Sequence, residues 1–146
     1  MTELEVGATN FFEQTLCGLA DVVYRMSYGL TLNQEVSVAY VDATYKTVIS
    51  KLSELINLPT SQIEIRLLEE CWQLWQDDSK SYAIDQKPIA QVLSKLSVES
   101  RISLVLIEGL GLSCEEVGGV IQHSALEVRK YLAQARKVIL EFVDSE

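Results

Sequence analysis

The sequence predicts an all-α chain of two small helical lobes, the C-terminal one a helix-turn-helix. Three observations carry that expectation. Apolar residues recur at steps of three and four almost throughout. Helix breakers are sparse, with Pro59 and Pro88 the only prolines. The polar run QDDSKSYAIDQKP, Gln76 to Pro88, interrupts the rhythm once. The expected boundaries are residues 1–76 for the first lobe, 77–88 for a linker and 89–146 for the second lobe. A chain of 146 residues, 48% hydrophobic and 23% charged, has the composition of a folded soluble protein and the length for lobes of about 50 to 80 residues.

The first helix is read from Phe12 through Leu16, Leu19, Val23, Met26 and Leu30, which share one face. A short connection, Thr31 to Asn33, leads to a second, antiparallel helix. Asn33 can cap it, and Val41, Tyr45, Val48, Leu52 and Leu55 repeat the spacing along it. A third begins near Pro59, where Ser61 and Glu64 have the spacing of a capping box, and runs through Leu67, Cys71 and Leu74 to about Trp75. Beyond the linker, Ile89, Val92, Leu93 and Leu96 open the second helical group, which continues to Phe142.

Within that group Val117, Val120 and Ile121 form the inner face of a short helix, Gln122–His123 makes the turn, and Ser124 can cap the helix that follows. Val128, Leu132, Ala135, Ile139 and Phe142 are its apolar stripe. At 100° per residue, Arg129 and Arg136 fall on one flank of the outer surface and Lys130 and Lys137 near its outermost line. This arc can meet phosphates or can simply be a solvated face. Gly118 and Gly119 each cost about 1 kcal/mol in a helix interior relative to alanine, so Gly118, beside the apolar stripe, suggests a close approach of two helices.

Charge bears on function directly. The formal net charge is −9, and residues 96–146 hold five basic groups against eight acidic ones, a net of −3. Phosphate binding relies on Lys and Arg displacing counterions, so this lobe alone should bind DNA feebly. Cys17, Cys71 and Cys114 lie far apart with no C-x-x-C pair and are expected to be buried small apolar residues. His123 is the only histidine. No metal site, cofactor or catalytic grouping is expected, and GLGL at Gly109 to Leu112 is expected to end a helix rather than cradle a nucleotide. The start MTELEVGATNFFEQ has no export-signal pattern, which places the chain in the cytoplasm.

The residues from Leu96 to Leu140, LSVESRISLVLIEGLGLSCEEVGGVIQHSALEVRKYLAQARKVIL, resemble without a gap the promoter-reading region of bacterial RNA polymerase sigma factors of the extracytoplasmic-function type. That pattern is met by Leu96, Arg101, Gly111–Leu112–Ser113, Glu116–Val117, Ser124, Val128 and Ala135–Arg136. Similarly, YRMSYGLTLNQEVSVAYVDATYK, Tyr24 to Lys46, is similar to the family's other conserved region, where members read close to YRLALRLTGNREDAEDLVQETFL. The resemblance implies that Glu35, Val41, Asp42 and Tyr45 dock on the clamp region of the polymerase β′ subunit. It implies that Ser124, Glu127, Arg129, Lys130, Arg136 and Lys137 meet promoter DNA, and it brings in an anti-sigma factor as a further partner.

The sequence also departs from the family. Val38–Ala39 replace an acidic pair, Ala43 a later glutamate, Gln134 a basic residue and Tyr131 a frequent arginine. Trp72 and Trp75 stand where family members melt promoter DNA, but their neighbours are acidic, so they are expected in the core. Two functions therefore follow from the residues. The first is a divergent sigma-factor-like transcription regulator that binds polymerase core, promoter DNA or both. The second is a sigma mimic that engages an anti-sigma factor or polymerase without using DNA.

Overall fold

A computed structural model of the chain describes Gly7 and residues 10–144, apart from the side chains of Phe12 and Glu13. Phe12, the expected start of the first apolar stripe, thus lies outside the described side chains, as do the outer ends of both expected lobes. The described residues are helical with no strand, so the chain is all-α.

The chain enters through a wide π-helical turn, Phe12–Leu16, and a tight turn, Cys17–Leu19, rather than the single continuous helix expected. Gly18, the residue type with little helix propensity, lies in the irregular stretch. Helix α1 then spans Ala20–Thr31 and buries Val23, Met26 and Leu30. It stops at Leu32, whose φ of 54° is left-handed. For a leucine that conformation costs about 1 to 2 kcal/mol, offset here by burying the side chain against Ala90, Leu93 and Leu96.

Helix α2, Gln34–Ile49, begins as expected on Asn33, whose Oδ1 accepts from the Val36 N–H at 3.1 Å. Its inner line, however, is Ser37, Tyr40, Thr44 and Val48, with Val41 and Tyr45 half-buried beside it. Apolar spacing missed this line because the Ser37 and Thr44 hydroxyls are satisfied within the helix, donating to the Asn33 and Tyr40 carbonyls at 2.7 and 2.8 Å. The helix also ends before Leu52, and Leu52–Leu55 forms the separate single turn α3.

Helix α4, Thr60–Asp77, is not capped by Ser61, which sits inside its first turn. The extended Pro59 is the cap residue, and its carbonyl takes the N–H groups of Gln62 and Ile63 at 3.0 and 3.1 Å. Residues 78–87 carry no helix. Pro88 then opens α5, Pro88–Leu93, at the one helical position where a missing N–H costs nothing. Ala90, Leu93 and Leu96 point inward there, while Ile89, expected on the inner face, is exposed.

Helix α6, Val98–Leu104, is capped by Ser97 and runs on through a second π turn, Val105–Gly109. That segment ends at Gly111, φ 76°, so GLGL does terminate a helix. Helix α7, Cys114–Ile121, and α8, Ala125–Asp144, complete the chain. Val128, Leu132 and Ala135 are buried as expected, whereas Ile139 and Phe142 are only half-buried because α8 runs out beyond the elements it packs on. Cys71 is fully buried, and burial pushes its thiol up to about 11, but Cys17 is exposed and Cys114 half-buried, so core filling explains only one of the three.

One hydrophobic cluster runs from Leu16 and Met26 through Leu67 and Trp72 to Ile102, Val117 and Val128, and so is common to both helical groups. Helix α1 packs on α6 and α4 on α7. At the first contact Gly29 lets α6 approach, since a Cβ there would lie 3.2 Å from both Ile102 and Val105. No helix of the described residues is long and apolar enough to cross a membrane.

Candidate functional site

The segment from Ser113 to Asp144 is built by two reciprocal caps and one glycine. Ser113 Oγ accepts from the Glu116 N–H at 3.1 Å while Glu116 Oε1 accepts from the Ser113 N–H at 2.9 Å, which fixes the start of α7. Gln122, φ 62°, turns the chain, and the His123 N–H returns to the Gly118 carbonyl at 3.0 Å. The expected close approach at Gly118 is present: a Cβ there would come within 2.5 Å of the His123 carbonyl oxygen. Ser124 and Glu127 repeat the reciprocal cap at the head of α8, at 3.1 and 3.0 Å.

These bonds occupy Ser124 and Glu127, two of the residues expected to meet DNA. The Ser124 hydroxyl accepts a backbone N–H, and the Glu127 carboxylate takes the Ser124 N–H and contacts His123 Nδ1 at 3.2 Å. The Ser124 backbone N–H, and after it His123, hold the Glu127 carboxyl below its ordinary range, so it stays charged. The cations are treated unequally. Arg129 pairs with Glu115 at 3.3 Å, and Arg136 gives Nε to Glu108 at 2.8 Å with a second bond from its Nη2. Lys130 and Lys137 are exposed, and among the described residues neither pairs with an anion.

On α2 the four residues assigned to polymerase do not share a surface. Glu35 and Asp42 face outward, Asp42 in an ion pair with Lys46 at 2.9 Å. Val41 packs on the core, and the Tyr45 hydroxyl donates to the Leu16 carbonyl, with burial pushing the phenol up to about 12. Outward of α2 lies a groove of about 620 Å³ between this helix, the end of α4 and the linker. Trp72 is buried and Trp75 half-buried against the core, as expected.

The linker is held by side-chain bonds that its polar composition does not reveal. Asp78 accepts from the hydroxyls of Tyr82 and of Tyr40, the latter at 2.7 Å, and from the Lys80 N–H at 2.9 Å. These bonds, that of Tyr82 first, bring its carboxyl down to about 2. Asp85 accepts from the Gln34 N–H at 3.0 Å and the Tyr28 hydroxyl at 3.2 Å, and its own N–H reaches the Leu32 carbonyl at 2.8 Å. Aspartates in a polar run look like ordinary linker composition. Their distant partners Tyr40 and Tyr28, at separations of 38 and 57 residues, distinguish them, and no local pattern reveals such pairs.

No family model matches the chain, and no curated protein does. Among solved structures, the chain is similar to the sigma factor RpoE in complex with the anti-sigma factor NepR from Bartonella quintana. That likeness has a TM-score of 0.73 at 15% identity, covering 92% of this chain and 98% of that one. It is also similar to the PhyRSL–NepR complex from Sphingomonas sp. Fr1, with a TM-score of 0.72 at 19% identity, covering 89% and 87%. At such identities the likeness is one of fold: the chain has a sigma-factor-like fold.

Proposed function

We propose that this chain is a sigma mimic, a module that regulates transcription by binding an anti-sigma factor or RNA polymerase without reading DNA, and that it has no catalytic role. One observation carries this: two of the four cations on the outer arc of α8 are already neutralised by the chain's own Glu115 and Glu108. With Lys130 and Lys137 alone, about two phosphate contacts remain, against the roughly six to ten of a strong DNA binder. The net charge of −9 adds repulsion. Support also comes from the fold, since both similar structures are complexes with NepR, an anti-sigma factor. These partners act in the cytoplasm, where we place the chain.

A sigma-factor-like regulator that binds polymerase core and promoter DNA is the second reading, favoured by the unpaired, exposed Lys130 and Lys137. Polymerase would then supply the missing affinity, because a tethered second contact acts at high effective concentration. Run-off transcription with core polymerase separates the two. We expect no promoter-dependent transcript, and recovery of an anti-sigma protein when the chain is used as bait; a transcript would overturn the proposal. The self-neutralisation has its own test. Glu108→Gln with Glu115→Gln should raise affinity for duplex DNA about tenfold at low salt in fluorescence anisotropy, an effect that fades by about 0.2 M salt. Unchanged affinity would mean that the two pairs do not govern the surface.

A further inference from the structure

We propose that the groove between α2 and the linker docks a basic amphipathic helix of the protein partner, and that the site exists only while the linker is held down on α2. The proposal rests on the reading above, in which the partner is a protein. Val36, Ala39 and Ala43 of α2 and Leu74 of α4 supply the apolar floor. Ala39 and Ala43 lie one helical turn apart, and their small side chains leave depth for the leucine-sized side chains of an approaching helix.

Charge selects the occupant. Glu35, Asp77 and Asp78 stand around the groove against a single ammonium, Lys80. With a chain of net charge −9, the surroundings attract Lys and Arg and repel nucleic acid and anionic lipid. An apolar floor under an anionic rim fits a helix whose apolar face is flanked by basic residues.

The linker half follows from how the wall is built. Lys80 and Tyr82 close one side of the groove, and both are fixed through Asp78, which accepts the Tyr82 hydroxyl and the Lys80 N–H as well as Tyr40 from α2. If the linker lifts, the groove loses that wall. A helix bound in it therefore favours the seated linker, and by linkage the seated linker favours the helix.

The test is a fluorescence titration that uses Trp75, whose ring lies 6.4 Å from that of Tyr40. The probe is a synthetic helix of about five turns with leucine on one face and arginine flanking it, compared with the same helix carrying glutamate for arginine. The arginine helix should bind and the glutamate helix should not. Ala39→Arg, at an exposed position, should weaken binding by about tenfold or more by blocking the floor and reversing the charge. Ala43→Met, which fills the groove without adding charge, should do the same.

Tyr82→Phe removes a bond that seats the linker and leaves every rim charge in place, yet should weaken binding comparably by freeing the linker, with helix content unchanged by circular dichroism. Full binding by both groove variants would overturn the proposal, and full binding by Tyr82→Phe would overturn its linker half. Sedimentation covers the remaining occupant: a self-associated chain dispersed by Ala39→Arg would show that a second copy fills the groove instead. None of these readouts involves promoter DNA, so the site can fail while the run-off result stands, and the reverse.

Discussion

Arg101 is the residue on which the two helical groups most depend. Buried at 8% exposure, its guanidinium donates Nε to the Gly29 carbonyl at 2.7 Å, Nη2 to the Leu30 carbonyl at 3.1 Å and Nη1 to the Leu96 carbonyl at 3.1 Å. The first two belong to the last turn of α1, where carbonyls lack intrahelical partners and the helix end carries a partial negative charge. Desolvation lowers the arginine's pKa, but it remains the cation that this helix end needs. Arg101→Met should cost about 3 kcal/mol, because it leaves three carbonyls without donors. Arg101→Lys should recover only part of that, since one ammonium cannot span all three; urea unfolding measures both. Gly118 and Gly119 give a paired expectation. Gly118→Ala drives a Cβ into the His123 carbonyl and should destabilise by about 2 kcal/mol. At Gly119 a Cβ meets nothing within 4 Å, so Gly119→Ala should stabilise by about 0.5 to 1 kcal/mol. Thermal melts of the two variants should move in opposite directions.

At the level of elements, α7 and α8 were legible because local rules govern them. The cap at Ser124, the close approach at Gly118 and the stripe through Val128 and Leu132 all follow from neighbours within a few positions. Helix α2 was less so, since Ser37 and Thr44 disguise its inner line, and Ser61 offered a cap that Pro59 supplies. The candidate site was legible only as residue identities. That Arg129 and Arg136 would be paired depends on Glu115 and Glu108, at separations of 14 and 28 residues, which periodicity cannot connect. The linker was read only as a break, yet it carries a pH dependence. The Asp78 carboxyl falls from its ordinary 3.8 to about 2 in the folded chain. Its contribution is therefore complete above pH 3.8 and is lost as pH falls through about 2. Asp78 is only half-buried, so the effect is damped by solvent. Asp78→Asn should flatten the decline in melting temperature across that interval, and an acid profile identical to the parent's would refute the assigned bonds.

Whole-molecule behaviour turns on a point the sequence left open, whether the groups on either side of the linker pack together. Apolar stripes could not decide it, because each stripe is equally well buried within its own group. The shared cluster and the Arg101 bridge make the two interdependent, so unfolding should be one event. The tryptophans allow a direct check, since Trp72 and Trp75 both lie in the first group. Ile102, fully buried in α6, belongs to the second and meets the first at Gly29. Ile102→Ala should cost about 2 to 5 kcal/mol. If the core is common, this change must lower the urea midpoint seen by tryptophan fluorescence as much as that seen by circular dichroism, which reports every helix. Were the groups independent, fluorescence would keep its parental midpoint while circular dichroism split into two steps. Coincident, equally shifted transitions are expected. They would mean that anything gripping either group stabilises both, because the shared core couples the two.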